Sequence, residues 1–553
     1  MNLKKNAQES QAPWRYWRGL GGWNYYFLLK LALLWFGYLN FHPLANLVFV
    51  AYLVFPIPSE RLHRLRHWIG IPIGLGLFYY DTWLPGINSV LSHGSQVAGF
   101  SLRYFIELVE RFINWRMVGA AFVMLVGYLF ISQWIRVTVF IVAAMIWLNV
   151  LTIAGPAFSL LPSTTTAAET TASTSNTNAS GATTSAQPAA NAPPTSANLT
   201  AYLNSFYEQE KGRVTQFPTT LPADAQPFDL LVINICSLSW SDIEAIQLEK
   251  HPLWSKFDLV FQNFNSATAY SGPASIRLLR ASCGQESHHD LYQPAEQQCY
   301  LFDNLAKLGF SSQLVMDHSG VFGNYLQNLR EDANMRAPLM SQKGISNQLI
   351  SFDNEPVYNA LELMNRWLEQ QKNEAGNARS ATFVNIVPLH DGNRFTGTSK
   401  TADYKTRAQT LFDQLDSFLN ELEKSGRKVM VVMVPEHGAA LTGDKMQMSG
   451  LRDIPSPSIT HIPVGVKLIG MAAPQPASPL EIKAPSSYLA ISELVSRIVD
   501  GKIFTAPSVD WQTLVKGLPE TAIVSENDNA VVMQYQGKSY IRLNGGDWVP
   551  YPQ

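Results

Sequence analysis

Five apolar runs crowd into the first 155 residues of this 553-residue chain: 25–41 (interrupted by Lys30), 44–57, 68–84, 117–131 and 137–154. A membrane-crossing helix needs about 20 apolar residues, with roughly 17 as the lower end, so the second and fourth runs need their flanks to cross. The pattern predicts a multi-span α-helical membrane domain over 1–158, with about five transmembrane helices. Apolar segments that follow the first run argue against a cleaved signal peptide. Basic residues collect at three places: Lys4, Lys5, Arg15 and Arg18 before the first run, Arg61, Arg64 and Arg66 between the second and third, and Arg136 between the fourth and fifth. With five spans all three fall on one side, which the positive-inside rule makes cytoplasmic, and everything after residue 155 lies outside. Within 103–116, Tyr104, Phe105, Leu108, Val109, Phe112 and Ile113 share one helical face, opposite Arg103, Glu107, Glu110, Arg111 and Asn114. That segment reads either as an interfacial helix or as a lead-in to the fourth span.

Residues 159–200 are dominated by Ser, Thr, Ala, Asn and Pro, with Glu169 the one charge. Such a composition cannot bury enough apolar surface to fold and predicts a flexible linker. A coil of about 40 residues would hold its ends roughly 35 Å apart, enough to let a soluble head range over a surface.

From 201 to 553 strand-like and helix-like segments alternate. The runs 228–235, 383–387 and 428–434 are apolar enough to be buried strands, and 276–281, 358–371 and 406–424 have helical patterns. The alternation predicts a soluble α/β domain with a mainly parallel sheet. A net charge of −2 with no long basic run gives a nucleic-acid partner no electrostatic support. Of three cysteines, Cys236 is solitary, while Cys283 and Cys299 are close enough to suit one disulfide in an oxidising compartment. A bridge closing their loop of about 17 residues would contribute roughly 3 kcal/mol.

In a parallel sheet the carboxyl ends of the strands share one edge, where ligands bind. Three apolar runs end in groups able to bind metal or move protons: Cys236, His390, and Glu436 with His437. Zinc takes thiolate, imidazole and carboxylate ligands, and a catalytic zinc keeps one position for a reacting oxygen. Adjacent Glu436 and His437 can both ligate only if the strand ends in a turn, since strand geometry points neighbours to opposite faces. Taken alone, Cys236 reads as a buried inert thiol, the commoner case for a lone strand cysteine, and Glu436-His437 equally as a solvated loop pair. Ser271 precedes a helix-like run with Pro273 in its first turn, and reads either as an ordinary N-cap or as a nucleophile at a phosphate-binding helix start. Arg452 and His461 lie in a proline-rich loop between strand candidates, where Arg452 could grip a phosphate or be a surface charge.

Several strings carry a resemblance: Asn-Ile-Cys-Ser-Leu-Ser-Trp at 234–240, Tyr-Ser-Gly-Pro-Ala at 270–274, Arg-Ala-Ser-Cys-Gly-Gln at 280–285, Pro-Leu-His-Asp-Gly at 388–392 and Pro-Glu-His-Gly-Ala-Ala at 435–440. With the N-terminal runs and the linker, the chain resembles the alkaline-phosphatase-like, zinc-dependent phosphoethanolamine transferases, specifically the cellulose-modifying branch of bacterial cellulose-synthesis operons. The resemblance implies a bacterial inner-membrane protein with an alkaline-phosphatase-like sandwich in the periplasm. It implies one zinc ion held by Cys236, Ser271, Glu436 and His437, with Ser271 as nucleophile. It further implies phosphatidylethanolamine as donor, cellulose as acceptor and the cellulose synthase complex as partner. Tyr270, Arg452 and His461 are then substrate contacts, and His390 or His461 the proton-transfer group. Most relatives carry a carboxylate in place of Cys236 and Asp-His in place of Glu436-His437, which favours one metal over two. The competing expectations are a transferase acting on lipid A or another envelope glycan, a hydrolase, and a non-catalytic scaffold of the synthase.

Overall fold

The computed structural model describes residues 19–57, 59–82, 115–154, 192–373, 378–398 and 400–552. These form two compact units, one holding the described residues up to 154 and the other those from 192 to 551. The N-terminal unit is helical: α1 (Trp23–Trp35), α2 (Pro43–Val54), α3 (Glu60–Tyr80), α4 (Trp115–Ile131) and α5 (Val137–Ala154). Local chemistry sets the breaks. After α1 the chain turns through Gly37 at φ 78°, and Pro43 opens α2, where its missing N–H costs nothing. Phe27, Phe49, Val50, Leu53, Ile141 and Met145 form the core of this unit.

The expected multi-span membrane domain is corrected here: among the described residues no helix is long and apolar enough to cross a membrane. At about 1.5 Å per residue, the 13 residues of α1 and 12 of α2 extend only roughly 20 Å, against a hydrocarbon core of about 30 Å. Helix α3 has 21 residues, but its first half carries Arg61, His63, Arg64, Arg66 and His67. The apolar runs become helices, of which α1 and α2 are shorter and α3 more charged than a span requires. The amphipathic segment, up to residue 114, and the linker, up to residue 191, lie outside the described residues.

In the second unit α6 (Ser196–Lys211) begins inside the stretch read as linker, capped by Thr195, whose side chain accepts from the Asn198 amide. The strands are β1 (Asp229–Ile235), β2 (Leu259–Asn265), β3 (Phe310–Met316), β4 (Asn347–Ile350), β5 (Pro356–Tyr358), β6 (Arg379–Ile386), β7 (Arg394–Phe395), β8 (Val429–Pro435), β9 (His461–Ile469), β10 (Leu480–Ile482), β11 (Val524–Asn527), β12 (Ala530–Tyr535), β13 (Lys538–Leu543) and β14 (Trp548–Pro550). Seven of them make the central sheet in the order β10-β2-β9-β8-β1-β6-β3. It is a mixed sheet: β3, β6, β1 and β8 run parallel, whereas β9 is antiparallel to both β8 and β2.

Both faces of the sheet are covered. Along β1, Leu230 and Val232 enter one core with α8 (Ser271–Leu279) and α11 (Tyr488–Ile498). Leu231, Ile233 and Ile235 enter the opposite core with α7 (Trp240–Ile246), α9 (Ala360–Lys372) and α10 (Tyr404–Lys424). The period-2 alternation of a strand places Leu230, Leu231, Val232, Ile233 and Ile235 against one layer or the other, which is why β1 is apolar apart from Asp229 and Asn234. A four-stranded sheet, β11-β12-β13-β14, packs on Leu199, Leu203 and Phe206 of α6.

Candidate active site

Parallel pairing brings the cluster together. Ile235 of β1 is in register with Pro435 of β8, so the next residues of the two strands, Cys236 and Glu436, leave the sheet side by side. Cys236 is followed by Ser237 at φ 64°, a left-handed turn rare for a side-chain-bearing residue. The turn is clamped by Tyr404, whose hydroxyl donates to the Ser237 carbonyl at 2.6 Å. After β8 the chain also turns at once, so Glu436 and His437 both face the site, as joint ligation requires. Gly438 follows because a Cβ there would lie 2.6 Å from Ser239 Oγ and 2.9 Å from Asp242 Oδ2. Asp242 ties the two turns together: it caps α7 with Ser239 and also accepts the Ala439 and Leu441 amides.

Cys236, Glu436 and His437 are fully buried, and one donor atom from each lies within 4.8 Å of the others. Ser271 joins them. It is the first residue of α8, whose N-cap is Tyr270, and its side chain does not cap the helix. Instead Ser271 Oγ lies 3.5 Å from Cys236 Sγ and 3.3 Å from His437 Nε2. The N-cap expectation for Ser271 is thereby corrected: the hydroxyl is turned into the cluster, not back onto backbone amides. His437 Nδ1 is 2.9 Å from the Gly438 carbonyl; donating there leaves Nε2 as the lone-pair nitrogen facing Ser271. Arg452 Nη1 sits 3.2 Å from Ser237 Oγ and 3.3 Å from His437 Nδ1, so its guanidinium borders the cluster.

The electrostatics are those of a site short of positive charge. Burial raises the Glu436 carboxyl pKa; burial and the neighbouring Glu436 raise the Cys236 thiol pKa; burial and Arg452 push His437 well down. Glu436 Oε1 accepts from Asn385 Nδ2 at 2.6 Å, while Glu436 Oε2 is buried with no hydrogen-bond partner. An orphaned carboxylate oxygen beside a thiol and a lone-pair imidazole nitrogen fits a zinc-type cation, whose bonds to such donors are about 2.0–2.3 Å long.

Sequence reasoning missed the floor under these groups. Asn385 also donates to Asn234 Oδ1 at 3.0 Å, and Ser275 Oγ contacts Asn234 Oδ1 at 3.1 Å and the Tyr325 hydroxyl at 2.7 Å. Asn234 and Asn385 are polar residues inside otherwise apolar strands, and that was the available signal.

The other expected site residues divide. Tyr270 donates its hydroxyl to Asp453 Oδ1 at 2.8 Å, which orients the loop carrying Arg452. His390 stacks on Phe352 at 4.5 Å and holds its Nδ1 2.8 Å from the Asp391 carbonyl. Burial, then Arg452, lower its pKa to about 4. His461 is held by a neighbouring strand. As the first residue of β9 it places Nε2 2.6 Å from the Gln262 carbonyl, a bond between strands that engages that nitrogen. Cys283 and Cys299 form a disulfide that closes the region after α8.

The second unit is thus a layered α/β domain that gathers a serine, thiol, carboxylate and imidazole at the carboxyl edge of its sheet. Solved structures similar to it include an alkaline phosphatase superfamily protein from Vibrio parahaemolyticus (TM-score 0.44, 13% identity, 63% of this chain and 86% of that one). Another is the C-terminal periplasmic domain of EcEptC from Escherichia coli (TM-score 0.39, 12% identity, 58% and 96%). Residues 183–548 match the family described as cellulose biosynthesis protein BcsG C-terminal domain, and residues 23–150 match its N-terminal domain. The chain is 63% identical to the cellulose biosynthesis protein BcsG of Salmonella typhimurium strain LT2, over 99% of this chain and all of that one. It is equally 63% identical to that of Escherichia coli K12, over 99% of each. The chain belongs to the cellulose biosynthesis protein BcsG family.

Proposed function

We propose that the protein transfers phosphoethanolamine from phosphatidylethanolamine to glucose hydroxyls of nascent cellulose, through a covalent intermediate on Ser271. The observation that carries this reading is Ser271 Oγ standing 3.3 Å from His437 Nε2 and 3.5 Å from Cys236 Sγ at the start of a helix. A helix start offers amides and a positive dipole end to a phosphoryl group. Cys236, Glu436, His437 and Ser271 would hold one zinc ion, which when bound supplies positive charge to stabilise the serine oxygen and the phosphoryl oxygens.

In the first half-reaction Ser271 Oγ attacks phosphorus. The Oγ–P bond forms, the P–O bond to glycerol breaks, and diacylglycerol leaves with a proton. In the second, a glucose hydroxyl attacks phosphorus, the Oγ–P bond breaks, and Ser271 is restored. Arg452, bordering the cluster, neutralises the phosphate. His390, with Nδ1 donating to the Asp391 carbonyl, presents a lone pair at Nε2 and takes the proton of the sugar hydroxyl. Its lowered pKa keeps it unprotonated at neutral pH, as a base requires. The domain works in the periplasm, where the Cys283–Cys299 disulfide persists, beside the cellulose synthase complex that supplies the polymer.

The test incubates the purified full chain with headgroup-labelled phosphatidylethanolamine and cello-oligosaccharides. Label should move to the sugar and, without acceptor, remain on Ser271. Ser271→Ala should abolish both, with a loss of roughly 10³-fold or more. Label moving to lipid A but not to cello-oligosaccharide would reject the acceptor, and label released to water with acceptor present would reject transfer.

A further inference from the structure

The C-terminal sheet reaches the candidate active site through one buried amide. Its first strand, β11, lies along the turn that leads to Ser271. Asn265 Nδ2 donates to the Val524 carbonyl at 2.8 Å, Ser525 Oγ donates to Asn265 Oδ1 at 2.8 Å, and the Glu526 amide donates to the Ala267 carbonyl at 2.9 Å. Ala267 sits at φ 62°, a left-handed conformation that a side-chain-bearing residue keeps only where its surroundings over-determine it. The strand ends at Asn527, which is 4% exposed.

The Asn527 side chain makes four hydrogen bonds, and all of them go to two segments. Its Oδ1 accepts from Thr268 Oγ1 at 2.9 Å and from the Ala269 amide at 3.2 Å. Its Nδ2 donates to the Arg452 and Asp453 carbonyls, each at 3.1 Å. A carboxamide suits this place, since one planar group supplies two N–H donors and an oxygen with two lone pairs. Thr268 and Ala269 lead directly into Ser271, and Arg452 carries the guanidinium that borders the cluster. A residue that merely packed the sheet would have no need to match both of its ends to the segments that act on the phosphate.

We propose, on the transfer reading given above, that Asn527 is a positioning residue. It fixes the nucleophile Ser271 and the phosphate-neutralising Arg452 relative to each other, acting through the backbone that carries them. The two side chains must meet one phosphoryl group from segments far apart in sequence, and a displacement of about 1 Å between them costs on the order of 100-fold in rate. The four-stranded sheet supplies no ligand to the cluster, yet through Asn527 it sets the spacing on which the reaction depends.

The test is a double-mutant cycle on the purified full chain, with headgroup-labelled phosphatidylethanolamine and cello-oligosaccharide. Asn527→Ala should lower kcat/KM about 100-fold. Bound metal, measured by elemental analysis, should stay at the wild-type value, because the Asn527 side chain holds none of the cluster residues. In an Arg452→Ala background the same substitution should cost about tenfold or less, because the placement of an absent guanidinium no longer matters. Thr268→Val keeps the side-chain shape and removes one of the four bonds. It should cost about five- to tenfold by itself and about twofold or less in the Arg452→Ala background, and it carries the test if Asn527→Ala does not fold. Losses that multiply in full in both backgrounds, or a fall in bound metal as large as the fall in rate, would make Asn527 a structural residue and overturn the proposal. A wild-type chain that places no label on Ser271 would overturn the transfer reading and this proposal with it; a labelled wild type with fully multiplied losses would overturn the proposal alone.

Discussion

Each unit buries an ionisable cluster, and the two are finished differently. In the N-terminal unit Lys30 and Asp81 are wholly inaccessible, their charged atoms 2.5 Å apart. Asp81 also accepts from Asn46 at 2.6 Å and pairs with His42 at 2.8 Å, while Lys30 donates to Asn46 at 2.8 Å and Tyr26 at 3.3 Å. Opposite charges and hydrogen bonds close on each other, and nothing further is required. In the α/β unit the buried groups Cys236, Glu436 and His437 include no cation of their own, one Glu436 oxygen is orphaned, and the flanking Arg452 contacts His437 and not the carboxylate. A satisfied cluster holds a structure together; an under-compensated one, kept at equal burial, holds a place for something else.

The contrast can be broken experimentally. The largest effect should come from Glu436→Gln: bound metal, measured by elemental analysis of the purified chain, and transfer should each fall by at least about 100-fold. Thermal stability of the metal-free chain should be unchanged or improved, because a costly buried carboxylate is removed. A large stability loss would place Glu436 with the structural cluster instead. The reverse pattern is expected for Asp81→Asn, which strands the Lys30 charge. It should cost about 3–5 kcal/mol in denaturant unfolding and leave the metal content of surviving folded protein intact.

A smaller effect is expected at the disulfide. Cys283→Ser with Cys299→Ser should lower stability by about 3 kcal/mol, the loop-closure value. The metal content should not change, since neither cysteine belongs to the cluster. The smallest concerns Asp258, which accepts the Leu468 amide and faces Lys467 at 3.9 Å. Burial outweighs both and raises its pKa to about 6 from the model-peptide value of 3.8. A raised acid holds its proton more tightly folded than unfolded, so its contribution to stability should fall as pH rises from about 4 to about 6 and level off above. Asp258→Asn should flatten that part of the pH–stability curve; an unchanged slope would assign it to other groups.

Strand periodicity was legible from the residues alone. The runs 228–235 and 428–434 became β1 and β8 to within a residue, because strands buried on both faces read as continuous apolar stretches. The same hydrophobicity misled at the N-terminus, where apolar runs marked helices truly but gave no measure of where each would start or stop, so that α3 takes in Arg61, Arg64 and Arg66. The antiparallel β9 was also hidden, since nothing local to a strand records the direction of its neighbour.

What the sequence determined by itself, then, was an inventory: which segments would be helix or strand, and which four side chains could bind a cation and attack phosphorus. The tertiary structure alone decided their meeting. Cys236 and Glu436 are 200 positions apart, and only the register of β1 on β8 makes them neighbours. Ser271 looked like a cap until its hydroxyl was found turned toward His437. That Asn234, Asn385 and Ser275 bond to one another beneath the cluster was likewise left to the fold, because hydrogen-bond partners are chosen by distance in space and not by separation along the chain.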